Sequence, residues 1–181
     1  TLLPVLYQWG GIDGRALAGG QLRLGNDPAR YADLHAAGAK LIAAGPDDFN
    51  IGVAPHSLRA VDAEGMKVAL GLSDTGPIHM HLAEQVAEVE EIEAHTGKRP
   101  TQYLLDTQDV NDRWCLIHAT QMNDAETLDL ARSGAVAGLC PITESSLGDG
   151  IFNGTQFVDA GGKVGFGSDS NIHISYFDEL R

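Results

Sequence analysis

Six short apolar runs punctuate the chain: "LLPVLY" (2–7), "NIGVAPH" (50–56), "IHMHLAE" (78–84), "WCLIHA" (114–119), "GAVAGLC" (134–140) and "KVGFGSD" (163–169). Most are apolar throughout, the pattern of parallel strands covered on both faces. The stretches between them read as helices. Residues 29–44 carry Leu34, Leu41 and Ile42 among alanines, and "EQVAEVEEIEAH" (84–95) sets Val86, Val89 and Ile92 on one stripe with acids opposite. Asn123 with Glu126 resembles a capping box, predicting a helix that stops at Gly134. Strand followed by helix, repeated along the chain, predicts an α/β fold with a parallel sheet. The first run has no lead-in and the chain stops at "FDELR", where a further helix begins. The expectation is one partial domain over 1–181, a piece of a longer protein cut at both ends.

Composition narrows the class. With 181 residues, 43% of them hydrophobic, the chain has enough apolar material for one sizeable core. A formal charge of -13 argues against nucleic acid and against an anionic membrane as partners. A small anionic substrate would have to be drawn by local cations, because the overall field repels it. Cys115 and Cys140 lie in apolar runs and form no CxxC, so they read as two reduced, buried thiols of a cytoplasmic protein. No apolar run reaches the length of a membrane span. Neither GxGxxG nor GxxxxGK[ST] occurs, so nothing points to a dinucleotide or a P-loop.

The polar residues that matter sit where the apolar runs end. His56, His81 with Glu84, His118 and Asp169 all fall at or just past predicted strand C-termini, the face on which a (β/α)8 barrel builds its active site. Each also has a plain structural reading. A lone strand histidine such as His79 is usually structural, although period two puts it on the same face as His81. Asp169 can face a metal or cap a helix. His118 can be a ligand, a proton carrier or a satisfied core histidine. Arg59, in "APHSLRAV", can grip a carboxylate with its planar fork or lie on the surface at a helix start.

Strand-end His81, His118 and Asp169, in that order, resemble the amidohydrolase superfamily. Within it the chain resembles the formimidoylglutamate deiminases of histidine degradation. The segments that carry the resemblance are "LLPVLY", "HSLRAV", "HMHLAEQ", "RWCLIHAT", "SGAVAGLCPITESSLGDGIF" and "GFGSDS". The segment "HISYFDELR" departs from the pattern expected after the Ser-Asp. The implied fold is a partial (β/α)8 TIM barrel of the metal-dependent hydrolase type, about strands 3 to 8. In this superfamily an HxH pair ends the first strand and a metal-binding Asp ends the eighth. Four predicted strands, ending in His81, His118, Cys140 and Asp169, then make His81 the fifth-strand ligand. "HMH" is therefore not the first-strand pair, although it looks like one.

The resemblance implies one divalent metal, zinc before others, held by His81, Asp169 and an HxH pair upstream. Zinc lowers the pKa of a bound water to roughly 7. Glu84 would carry a proton to the leaving nitrogen, and His118 would orient or deprotonate the attacking water. Asp169 would share the proton relay. Arg59, with His56 beside it, would grip a carboxylate of a small dicarboxylate substrate, N-formimino-L-glutamate, which becomes N-formyl-L-glutamate with release of ammonia. Two other readings stand beside this one: a superfamily deaminase acting on a purine or related ring, and a non-catalytic barrel fragment. The loop "CPITESSLGDG" carries Glu144 and Asp149, which read equally as functional acids or as acids of a glycine-containing turn. Six strands alone leave two raw sheet edges, through which an isolated piece is expected to aggregate or form a homodimer. Lacking half of the implied ligands, it is expected to be inactive without the rest.

Overall fold

The computed structural model describes residues 1–170 and 174–180, so His173 and Arg181 of the C-terminal segment singled out above lie outside the described residues. The chain divides into two compact units, Thr1–Met80 and His81–Arg181.

In the first unit β1 (Val5–Leu6) pairs in parallel with β2 (Ala54–Pro55), Val5 opposite Ala54 and Leu6 opposite Pro55. Single bridges, Leu2 to Ile51 and Val53 to Ile78, extend the pairing. Two α-helices, α1 (Pro28–Ala43) and α2 (Ala63–Gly71), and a short 3-10 turn at Gly19–Arg23 complete the unit. Asp27 starts α1 by accepting a hydrogen bond from the Arg30 amide, with Pro28 in the first turn, where its missing N–H costs nothing. The stripe that α1 buries is Tyr31, His35 and Gly38, not the leucines the sequence pattern favours. Leu34 and Leu41 are 46% and 72% exposed. Gly38 is the reason: a Cβ there would lie 2.9 Å from Leu2 Cδ2 and 3.0 Å from Ile51 Cδ1, so this helix face meets the strand layer at close range. Tyr31 meets the same layer with its tip, its hydroxyl accepting from the Ala54 amide.

The second unit holds the four-stranded sheet, in the order β3 (Ile78–Leu82), β4 (Trp114–His118), β5 (Val136–Leu139), β6 (Lys163–Phe166); β3 itself begins before the division. β4, β5 and β6 are parallel, with Ile117 opposite Gly138 and Gly138 opposite Gly165. Helices fill every crossover: α3 (Val86–Thr96) and α4 (Pro100–Thr107), then α5 (Asp124–Ser133), then α6 (Pro141–Leu147) and α7 (Gly154–Asp159), with α8 (Tyr176–Glu179) after β6. Neighbouring parallel strands joined through helices are the arrangement expected from the sequence. The Asn123–Glu126 capping box forms on both sides, and α5 stops at Gly134 with φ 86°.

Two expectations are corrected here. The apolar stripe of α3 is Val89 and Ile92, while Val86 is 57% exposed and Glu88 is buried in its place. Two-sided coverage, expected of most of the strands, is also incomplete in three of them. β3 and β4 alternate buried and half-buried positions, and Val164 and Phe166 of β6 are 37% and 39% exposed. No described helix is long and apolar enough to cross a membrane.

Candidate active site

The ends of β3 and β4 make the site. Along β3, Ile78, Met80 and Leu82 are buried, and His79 and His81 share the half-buried face, as period two requires. The chain then turns at Ala83, which has φ 49°. Glu88, in the first turn of α3, reaches back with both carboxylate oxygens, accepting from the Ala83 and Glu84 amides at 3.0 Å each. From the end of β4, the Thr120 hydroxyl donates to the Glu84 carbonyl at 2.6 Å, and the Gln121 amide donates to the Ala83 carbonyl at 2.8 Å. The backbone that carries Glu84 is therefore held at both its N–H and its C=O.

His118 is aimed by backbone strain. Alternation along β4 assigns it to the face of Trp114 and Leu116. Instead His118 and Ala119 adopt φ 72° and 53°, in the left-handed region that costs a non-glycine residue roughly 1–2 kcal/mol. The imidazole comes to rest with its centroid 5.6 Å from that of His81. Its Nε2 lies 3.7 Å from Glu84 Oε1, and its Nδ1 lies 3.2 Å from Glu144 Oε1. The same Glu144 oxygen accepts the Cys140 amide at 2.8 Å.

This environment moves two pKa values. Burial raises the Glu84 carboxyl, opposed by His118 and reinforced by the charges of Asp149, Glu88 and Asp169. Burial alone would lower His118, but its hydrogen bond with Glu144 and the charges of Glu84, Glu144 and Asp169 outweigh that and raise it. Asp169 is thus in electrostatic reach of both. It sits exposed in the turn after β6 with φ 50°, and the helix-cap alternative falls on residues 171–173, outside the described residues.

His118, Cys140 and Glu144 are all buried, and each offers a possible ligand atom within 4.8 Å of the others. The shared Glu144 oxygen already accepts two hydrogen bonds, and burial pushes the Cys140 thiol up to about 12, so it stays protonated. The trio reads as a support for His118. The nitrogen of His81 and the carboxylate of Asp169 are the kinds of donor that zinc accepts. His81 beside His118, with the charge of Asp169 reaching both Glu84 and His118, fits a cation at this strand end. Both cysteines are free, as expected, although Cys115 is only half-buried.

The first unit carries the other two residues singled out in the sequence. The His56 ring meets Tyr7 edge-on, centroids 4.3 Å apart, and its Nδ1 lies 3.1 Å from the Ser57 hydroxyl. Arg59 is half-buried, and its Nε is enclosed without a hydrogen-bond partner among the described residues. The segment around it is fixed: the Gln8 and Trp9 amides both donate to the Ala60 carbonyl, and the Trp9 indole donates to Asp62 at 2.8 Å. A buried arginine nitrogen left without an acceptor carries an unmet hydrogen-bonding demand.

Glu88 and Thr120 gave no sequence signal, because a helix glutamate and a strand-end threonine look like any others. Glu144 read at least as well as a turn acid in the sequence, and the structure gives it both parts: it accepts the Cys140 amide at the start of α6 and meets His118 Nδ1.

The profile of the amidohydrolase family matches residues 24–181. A curated formimidoylglutamate deiminase of Pseudomonas aeruginosa is 46% identical over the whole chain, which spans 40% of that protein's length. A 5-methylthioadenosine/S-adenosylhomocysteine deaminase of Bacillus cereus is 32% identical over 71% of the chain and 31% of its own length. Among solved structures, an amidohydrolase from Brucella melitensis superposes with a TM-score of 0.96 at 53% identity, over all of this chain and 40% of that one. A zinc-bound adenosine deaminase from Xanthomonas campestris gives 0.77 at 25% identity, over 98% of this chain and 39% of that one. With the parallel α/β order, these likenesses make the chain a partial barrel.

Proposed function

Because this chain belongs to the amidohydrolase family, we propose that it is the central to C-terminal part of a metal-dependent formimidoylglutamate deiminase. The complete protein would hydrolyse N-formimino-L-glutamate to N-formyl-L-glutamate and ammonia. The observation that carries the substrate is Arg59, whose buried Nε lacks an acceptor among the described residues. A dicarboxylate supplies a charged acceptor that matches the guanidinium fork, whereas a neutral purine offers only neutral ring nitrogens or a carbonyl.

A divalent metal, zinc before others, would be held by His81 and Asp169, with further ligands outside this chain, and would supply Lewis-acid activation of water. The chain's own residues handle the protons. Glu84, whose carboxyl is pushed up by burial, carries a proton to the departing nitrogen. His118 presents Nε2 toward Glu84 and takes or orients the proton of the attacking water. Arg59 binds a carboxylate in the bidentate manner of guanidinium, and His56, braced by Tyr7 and Ser57, offers a second polar contact.

The ring-deaminase reading has support in the likeness to the Bacillus and Xanthomonas enzymes. Ammonia release by the complete zinc-loaded protein separates the two. Turnover of formimidoylglutamate with none of adenosine or guanine supports the proposal, and the reverse overturns it.

A further inference from the structure

We propose that Glu144 is the positioning residue for His118, fixing which imidazole nitrogen carries the proton. This inference rests on the reading of His118 as the proton-handling histidine. A carboxylate with 5% exposure is costly to bury unless charge-assisted hydrogen bonds hold it. Glu144 has two, both on Oε1: His118 Nδ1 at 3.2 Å and the Cys140 amide at 2.8 Å. An ionised carboxylate only accepts, so Nδ1 carries a proton and donates it. In the neutral ring Nε2 is then the bare nitrogen, and Nε2 is the atom that faces Glu84. The opposite tautomer would put two acceptors, Nδ1 and Glu144 Oε1, against each other inside the protein. It would also turn a donor toward Glu84 and leave no nitrogen to receive a proton there.

Local structure keeps Glu144 in place. Pro141 opens α6 directly after Cys140 and supplies no N–H of its own, so the amide available to the carboxylate is that of Cys140. Glu144 reaches back four residues to it, anchoring its acceptor oxygen to the end of β5. His118 is the other half of the fit. Its φ of 72° turns the ring off the face set by alternation, and a residue strained in this way needs a partner to hold it. The carboxylate answers both requirements: it orients the ring and it sets the tautomer, as second partners of active-site histidines commonly do.

The test reads the tautomer first and activity second. In the complete protein labelled with nitrogen-15 on histidine, the His118 ring resonances are assigned by their loss in His118→Asn. The expected result is a proton on Nδ1 and a bare Nε2 in the neutral ring. Glu144→Ala should release it, moving the population toward the Nε2-protonated form that an unconstrained imidazole prefers. Glu144→Gln keeps a carbonyl oxygen for both donors and should retain the original tautomer. Turnover of formimidoylglutamate should fall in kcat by about 10- to 100-fold for Glu144→Ala, with KM changed much less, and by less for Glu144→Gln. A wild-type ring protonated on Nε2, or a tautomer unmoved by Glu144→Ala, overturns the proposal. If the wild type proves not to turn over formimidoylglutamate, the spectra still decide the role of Glu144, and only the deiminase reading is lost. If Glu144→Ala does not fold, the spectrum of Glu144→Gln and that of the wild type carry the decision.

Discussion

Replacing Glu88 by alanine removes the acceptor of two buried amides, and the cost follows from the geometry. Ala83 is 1% exposed and Glu88 3%, so water does not substitute at once for the lost carboxylate. Each bond is 3.0 Å long and charge-assisted. Such bonds contribute about 1.5–3 kcal/mol apiece, so the pair is worth about 3–6 kcal/mol, reduced by relief of the carboxylate's own desolvation. The expected net loss is about 2–4 kcal/mol. With a urea m-value of about 2 kcal/mol/M, the midpoint drops by about 1–2 M. Glu88→Gln keeps one acceptor and turns an NH2 toward the other amide, so it should fall between wild type and alanine. The assay is equilibrium urea unfolding of the complete protein followed by far-ultraviolet circular dichroism. Glu90, on the exposed face of the same helix, is the control, and its alanine variant should stay within about 0.5 kcal/mol. A Glu88→Ala loss no larger than the control's would refute the reasoning, because the amides would then have found other partners.

Three further outcomes are expected. Arg59→Ala in the complete protein should raise KM for formimidoylglutamate about 10- to 100-fold with little change in kcat, and an unchanged KM removes Arg59 from the site. Glu84→Gln should lower turnover by at least about 100-fold, yet should not destabilise the protein near neutral pH. The sign follows from the raised carboxyl: its contribution to stability is present below the ordinary value of 4.5 and is lost as pH rises through the folded-state value, so the neutral amide escapes that loss. A clearly lower urea midpoint for Glu84→Gln at neutral pH would count against this. Asp62 behaves in the opposite sense. Burial raises its carboxyl, but the Gly65 amide and the Trp9 and Gln8 side chains together hold it below 3.8, so its contribution is present above that value and fades as pH falls through the folded one. Asp62→Asn should flatten that acid limb in pH-dependent unfolding, and an acid limb unaltered by the substitution would discard the assignment.

How far the sequence could be read depended on whether a signal was periodic or conformational. All six strands, the Asn123 box and the Gly134 stop were legible, because alternation, capping and the left-handed end of a helix each leave a mark in residue type. The face of α1 was not. Its alanines carry no preference, and the buried stripe is set by a glycine that admits two strand side chains. Val86 and Glu88 exchanged places for a different reason. The two amides after β3 need an acceptor, and that local demand overrides the apolar stripe that would have placed a valine inward.

Strand-end position pointed to His81, Glu84, His118 and Asp169 as candidates, but could not tell how they meet. Regular strand alternation would separate His81 from His118. What brings their rings together is a left-handed φ at His118, a property that no residue type there advertises. The same conformation recurs at Ala83, Ala119 and Asp169, so all four described non-glycine residues with positive φ lie at or beside the candidate site. Four such residues cost several kcal/mol together, and the structure offsets this in the same few turns. Glu88 takes two amides, Thr120 takes the Glu84 carbonyl and Glu144 takes His118 with Cys140. The acids around Glu84 and His118 thus do two jobs. They hold a strained backbone in place, and their charge keeps His118 easier to protonate than its burial would allow. A neutral replacement at Glu144 therefore tests orientation and electrostatics at once, and comparing the amide with alanine is what separates them.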